Sequence, residues 1–248
     1  MKATAKGLTA AILVLSFAGC QTASQARLED NANNKPAAGK RDYAAVKYLG
    51  ATTALIAVDH PVRNYVGKGR SNSLDSITDK AMSLGDKNTV IYISLGLSGA
   101  ANLTGNYHLA DTAFLAAESA FLANKASNGL KLLNQKSQSQ SSIRPADGKN
   151  KYPYPSNHTT TAFAWASVID SRSESRTMDI MAYSAAGLVS FARVYHDDHW
   201  VSDVWVSALI GTAVGATIAE LNQTPKNGVF LGPIADENFL GLGLKTVF

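Results

Sequence analysis

The sequence predicts an all-α, single-domain bundle of about six to seven helices. Two observations carry this. Nearly every long apolar segment from Tyr43 onward has helical rather than alternating spacing. No run of short alternating segments separated by turn signals occurs anywhere. A third observation bounds the size: 248 residues, 46% of them hydrophobic, suffice for one sizeable core without forcing a second domain.

The expected helices cover 43–58, 73–84, 87–103, 109–134, 157–170, 175–192 and 200–221. Between them falls punctuation at Asp59-His60-Pro61, Gly85-Asp86, Gly105-Asn106 and Asp170–Ser173. The Ser/Gln-rich stretch 137–142 reads as a loop insertion, and 222–248 as a Gly/Pro-punctuated tail of undefined structure. Gly67-Lys-Gly-Arg-Ser lacks the spacing and the preceding strand of a phosphate loop, and reads as a turn. Ser207, Gly211 and Gly215 recur every four residues, a small-residue stripe that lets a neighbouring helix approach; packing is its expected role. His60 and His108 read as structural, and Trp165, Trp200 and Trp205 as core, with Trp200 placed to wall any pocket beside His199.

The N-terminus has its own logic. Lys2 and Lys6 precede an apolar run, Leu8 to Ala18, too short to span a bilayer and ending in small residues, the pattern of a secretory signal. Phe17-Ala18-Gly19-Cys20 resembles the lipobox of bacterial lipoproteins, which implies lipidation of Cys20, the only cysteine in the chain; an ordinary secreted protein with a stray cysteine is the alternative. Residues 1–19 are then the signal, 20–41 the lipidated cysteine and a polar tether, and 42–248 the folded domain. Gln21 after the cysteine, in place of Asp, points to the outer membrane facing the periplasm. A mean hydropathy of −0.05 argues against a polytopic membrane protein and for a soluble domain behind the anchor. Without residues 1–19 the balance is 21 basic against 19 acidic residues, too mild and too evenly spread for a nucleic-acid partner. The oligomeric state is not legible.

Chemistry concentrates in three segments: Ile143-Arg144-Pro145, Pro155-Ser156-Asn157-His158-Thr159, and Ala192-Arg193 through Asp203-Val204. His199 and Asp203 are four residues apart, so on a helix they share a face, and the carboxylate can fix the imidazole tautomer and leave the other nitrogen free to attack. An exposed surface pair explains the same spacing. Metal binding by His196, Asp197, Asp198 and His199 is a further alternative, opposed by adjacent aspartates pointing to different helix faces. Pro155-Ser156 precedes an apolar helix whose first amides, on Asn157 and His158, offer an anion site, although Ser156 also reads simply as an N-cap. Arg144 and Arg193 are permanently charged forks suited to phosphoryl oxygens.

In order and spacing these segments resemble the type 2 phosphatidic acid phosphatase superfamily, which includes bacterial non-specific acid phosphatases and vanadium haloperoxidases. Its pattern is K-x6-R-P, then P-S-G-H, then S-R-x5-H-x3-D. Arg144-Pro145 matches the end of the first motif. Pro155-Ser156-Asn157-His158 matches the second with Asn for Gly, and Arg193, His199 and Asp203 match the third with Ala192 for Ser. The resemblance spans roughly 43–221, with its specific signal in 129–215. It implies a metal-independent phosphoric ester hydrolase with no cofactor, acting on phosphomonoesters or on lipid phosphates and pyrophosphates through a phosphohistidine. His199 is then the nucleophile, Asp203 its orienting acid and His158 the proton donor to the leaving oxygen. Lys131, Arg144, Ser156, Asn157 and Arg193 hold the phosphate. The lysine is the weak match: the expected position 137 is a serine, Lys136 lies one residue away, and Lys131 needs a six-residue insertion that 137–142 can supply. Asn157 is expected to crowd the phosphate site. A vanadium haloperoxidase and a non-catalytic envelope lipoprotein are the competing readings.

Overall fold

A computed structural model describes residues 38–137, 154–222, 228–236 and 239–247. Seven helices occur among them: α1 Ala38–Lys68, α2 Asn72–Gly85, α3 Lys87–Leu103, α4 Tyr107–Ser137, α5 Asn157–Arg172, α6 Arg176–Tyr195 and α7 Val201–Leu221. An antiparallel hairpin, β1 Gly228–Asp236 with β2 Phe239–Val247, follows in register from Gly228↔Val247 to Asp236↔Phe239. The helical expectation therefore holds for the bundle, and the tail left undefined forms strands. Cys20, the tether to 37, and Arg144 with the rest of 138–153 lie outside the described residues.

Polar side chains start most helices, as the sequence suggests. Ser71 accepts from the Leu74 amide at the head of α2. Asp86 accepts from Thr89 N at 3.0 Å at the head of α3, while its own amide closes α2 on Ser83 O. These are the orphan amides that an N-cap satisfies. Gly105, at φ 74°, makes the left-handed turn into α4, a conformation that costs a residue without Cβ nothing.

One boundary differs from expectation. Asp59-His60-Pro61 does not end a helix: α1 runs through Pro61 to Lys68. Proline removes one amide donor and crowds the preceding turn, a cost that packing has to offset. Here the same turn packs on the start of α7, as described below, and Leu55 and Val66 on either side of it are buried with Val194, Val201 and Val204.

The centre of the bundle is the α5–α7 contact. A Cβ on Gly211 would stand 2.3 Å from Thr160 O, and one on Gly215 2.3 Å from Ala164 O, so the glycine stripe permits backbone-to-backbone packing. α5 buries Thr159 through Ala164 almost continuously and is covered by α6 through Phe163, Ala166, Tyr183 and Val189. α7 is also, among the described residues, the one helix long and apolar enough by length and composition to cross a membrane. Its hydropathy is 1.6, and a third of it is buried within the fold.

Candidate active site

Two helix ends and one turn assemble the site. α6 stops at Tyr195 because Asp197 adopts φ 65°, a left-handed conformation that Asp tolerates better than most residues. The chain then folds back on the helix it has just left. Asp198 N and His199 N both donate to Arg193 O, at 3.0 and 3.2 Å. This wrap explains the five-residue interval in R-x5-H: it returns His199 to the side of Arg193. It also revises the expected geometry of His199 and Asp203. His199 precedes α7 rather than lying on it, and Asp203 sits in the first turn of α7. The pair still meets, with Nδ1 3.8 Å from Asp203 Oδ2.

That separation is ionic contact, longer than a hydrogen bond, and among the described residues His199 Nδ1 has no hydrogen-bond partner. Catalytic hydrogen bonds often tighten only when substrate is bound. Both side chains are almost fully buried. Burial is the main force holding the His199 pKa below its ordinary value; Arg193 and Lys131 push the same way, and Asp203 opposes them. The imidazole is therefore neutral near pH 7, as a nucleophile has to be.

His158 lies in the first turn of α5. Its pKa is pushed down to about 4, by burial first and then by Arg193, with Asp86 acting against them and His199 and Lys131 adding smaller depressions. Two histidines, one arginine and one lysine thus share a single electrostatic environment. Among the described residues, Lys131 is the lysine that both histidines feel. Lys136, five residues further along α4, is about 140° round the helix axis.

Ser156 caps α5 by accepting from Thr159 N at 3.4 Å, and its own amide donates to Ser207 Oγ at 2.7 Å. Ser207 in turn donates to Asp203 O at 2.6 Å. The first residue of the small stripe therefore ties the Ser156 turn to the Asp203 turn, which goes beyond the packing role expected of it. The side chain of Asn157 is committed to α4. Its Oδ1 accepts from Ser127 Oγ at 2.6 Å and its Nδ2 donates to Asn128 Oδ1 at 2.8 Å, so both polar ends are turned onto α4. What Asn157 offers an anion is its backbone amide, at the positive end of α5.

The dense His/Asp run is dispersed. His196 Nε2 contacts Thr78 Oγ1 at 2.8 Å, Asp197 pairs with Arg63, and Asp198 pairs with Arg193 at 2.8 Å. Four neighbouring side chains thus go to separate partners. Among the described residues no group of three or more potential metal ligands occurs.

Three contributors escaped the sequence reading. Asp86, helix punctuation in the sequence, stands close enough to His158 to favour its charged form. Asp59 accepts from both Ser202 N and Ser202 Oγ, 143 residues away. An apolar cleft of about 170 Å³ opens between α2, α3, α5 and α6, lined by Leu84, Val90, Ile93, Trp165 and Val189 and by Ala162, one turn beyond His158.

The PAP2 superfamily pattern matches residues 125–226, the stretch that carries all of these motif positions. Over that segment the chain resembles the PAP2 superfamily. Over 93 residues it is 36% identical to the lipid A 1-phosphatase of Porphyromonas gingivalis, covering 37% of this chain and 20% of that relative, so the chain spans about a fifth of the relative's length. A transmembrane PAP2 type phosphatidylglycerolphosphate phosphatase from Bacillus subtilis shares the fold at a TM-score of 0.54. The two are 15% identical, with 73% of this chain and 94% of that one covered. LpxE of Aquifex aeolicus aligns at 0.48 and 21% identity, over 66% of this chain and 95% of that one.

Proposed function

We propose that this chain is a PAP2-type phosphatase of phosphorylated lipids or phosphomonoesters in the bacterial envelope, working through a phosphohistidine on His199. The observation that carries it is the pairing of two neutral imidazoles, His199 buried and His158 half-buried, around one cationic locus. His199 Nε2 attacks phosphorus in line, and the P–O bond to the leaving group breaks. Asp203, held by Trp200 N at 3.2 Å, orients Nδ1 and stabilises the cation that forms. Arg193, Lys131, Arg144 and the amides at the start of α5 take the charge on the equatorial oxygens, which is where most of the catalysis in phosphoryl transfer originates.

His158 needs a proton to assist the leaving oxygen, and in the free protein it has none at pH 7. A bound phosphate answers this. Its negative charge offsets Arg193 and Lys131, two of the groups that depress the imidazole, and a monoanionic ester can hand its own proton to His158. The proton then goes to the departing alkoxide, and neutral His158 activates the water that cleaves the phosphohistidine. Activity on alkyl phosphates should therefore be favoured on the acid side of neutrality.

The similarity to lipid A 1-phosphatase and the apolar cleft lined by Ala162, one turn beyond His158, both favour a lipid phosphate, with its chain in the cleft and its phosphate at His199. The signal and Cys20 would hold the domain at the outer membrane, within reach of such a substrate. The divergence of His196, Asp197 and Asp198 from His199 favours a reaction without a bound metal. The test is hydrolysis of a panel of phosphate esters in EDTA and in vanadate. Activity should survive the chelator and be inhibited by vanadate, which mimics five-coordinate phosphorus. Activity lost to EDTA and restored by a divalent ion would overturn the mechanism.

A further inference from the structure

One turn of α1, outside the segment matched by the PAP2 pattern, grips both flanks of the His199 turn. Asp59 Oδ1 accepts from Ser202 N at 2.9 Å, and Oδ2 accepts from Ser202 Oγ at 2.5 Å; the residue is 6% exposed. The next residue, His60, meets the Trp200 ring edge-on at 4.7 Å. Arg63, four residues on from Asp59 and so on the same face, lies 5.1 Å from the Trp200 ring centre and pairs through two nitrogens with Asp197. The residues held are 197, 200 and 202, on either side of His199.

We propose that this turn of α1 is the positioning element for the nucleophile, with Asp59 as its principal residue. The proposal rests on the phosphatase reading above. His199 is not in a helix, so no helical hydrogen bond fixes it from the C-terminal side. Its place depends on the left-handed turn at Asp197 and on where α7 begins. Asp203 touches both Trp200 N and, at ionic distance, His199 Nδ1, so a shift of the first turn of α7 moves the nucleophile and its orienting acid together. Asp59 holds that turn by the amide next to Asp203. Its charge sits at the positive end of α7, where a carboxylate is favoured and an orphan amide needs an acceptor. Arg63 fixes the other flank through the residue that reverses the chain. None of the three α1 residues needs to touch substrate for this role.

The test is steady-state kinetics of the full chain on p-nitrophenyl phosphate, with thermal unfolding of each variant. Asp59→Ala should lower kcat by about 10–100-fold, the scale of a small misplacement of a reacting group, and leave KM little changed because Arg193 and Lys131 are untouched. Asp59→Asn keeps one acceptor and offers an amide to Ser202 Oγ, so it should recover most of kcat. Ser202→Ala added to Asp59→Ala should cost little more than Asp59→Ala alone. Wild-type kcat per folded molecule in Asp59→Ala would overturn the proposal. If Asp59→Ala does not fold, Ser202→Ala and Arg63→Gln carry the test, and unchanged kcat in both overturns it equally. A wild-type chain inactive on every ester tested removes the phosphatase reading and this proposal with it. An active wild type with an insensitive Asp59 removes the proposal alone.

Discussion

Acid should destabilise this fold through His158 in a way that can be isolated. The imidazole has an ordinary value of 6.5 in the unfolded chain and about 4 in the folded one, chiefly from burial and from Arg193. A folded value below the unfolded one means that the unfolded chain binds the proton more readily. The stabilisation is therefore complete above pH 6.5, falls as pH drops towards 4, and is gone below that. At 1.36 kcal/mol per pH unit the displacement is worth about 3 kcal/mol as an upper value. The assay is urea unfolding at pH 7.5 and pH 4.0 for the wild type and for His158→Gln, which cannot take the proton. The wild type should lose about 3 kcal/mol more than the variant between the two pH values, since the carboxylates and His199 titrate in both. Saturating inorganic phosphate should shrink the difference by offsetting Arg193. Equal acid sensitivity in the two proteins would mean that His158 is solvated, and the account of a half-buried neutral imidazole would fail.

Lys131→Ala should raise the barrier by about 2–4 kcal/mol, the scale of losing one preorganised charge donor, while Lys136→Ala should be near neutral in the same kcat/KM measurement. The reverse ranking would move the motif lysine to Lys136. Cys20→Ser should abolish labelling by a lipid precursor and release the protein from membranes while its activity on a soluble ester is unchanged; a variant that still sediments with membranes would refute anchoring through that residue alone.

The bundle was legible because periodicity and capping are local. Ser71, Asp86 and Ser156 start helices as their side chains dictate, and six of the seven helices lie close to their expected ranges. α1 was cut short because a proline was read by its local cost, whereas the packing of that turn on Trp200 and Ser202 is a long-range gain that local pattern does not display. The C-terminal hairpin was missed because glycine-rich segments carry little periodicity. A mean hydropathy of −0.05 averages over helices as different as the polar α2 and an α7 at 1.6, so it does not test the expected soluble domain.

Within the site, spacing in the sequence singled out Arg193, His199 and Asp203, and the Pro155-Ser156-Asn157-His158 segment singled out His158. The contacts that shape them were not legible there. Asp59 reaches Ser202 across 143 residues, and Asn157 turns onto Ser127 and Asn128 because those two happen to lie opposite it on α4. Only the assembled fold brings such pairs together. The i, i+4 relation of His199 and Asp203 suggested the right partners through the wrong local structure: a left-handed Asp197 and the wrap onto Arg193 O replace the helical turn.

Direct trapping of the covalent intermediate bears most closely on the central claim. His158→Ala is mixed with labelled nitrophenyl phosphate, whose phenolate leaves unaided, quenched within milliseconds and digested. Because His158 also activates the water of the second step, label should accumulate on the peptide that contains His199, as an acid-labile, alkali-stable phosphoramidate, and none should form when His199→Ala is added. Release of one nitrophenolate per turnover with no labelled peptide at any time would contradict a histidine nucleophile and leave direct attack by water as the mechanism.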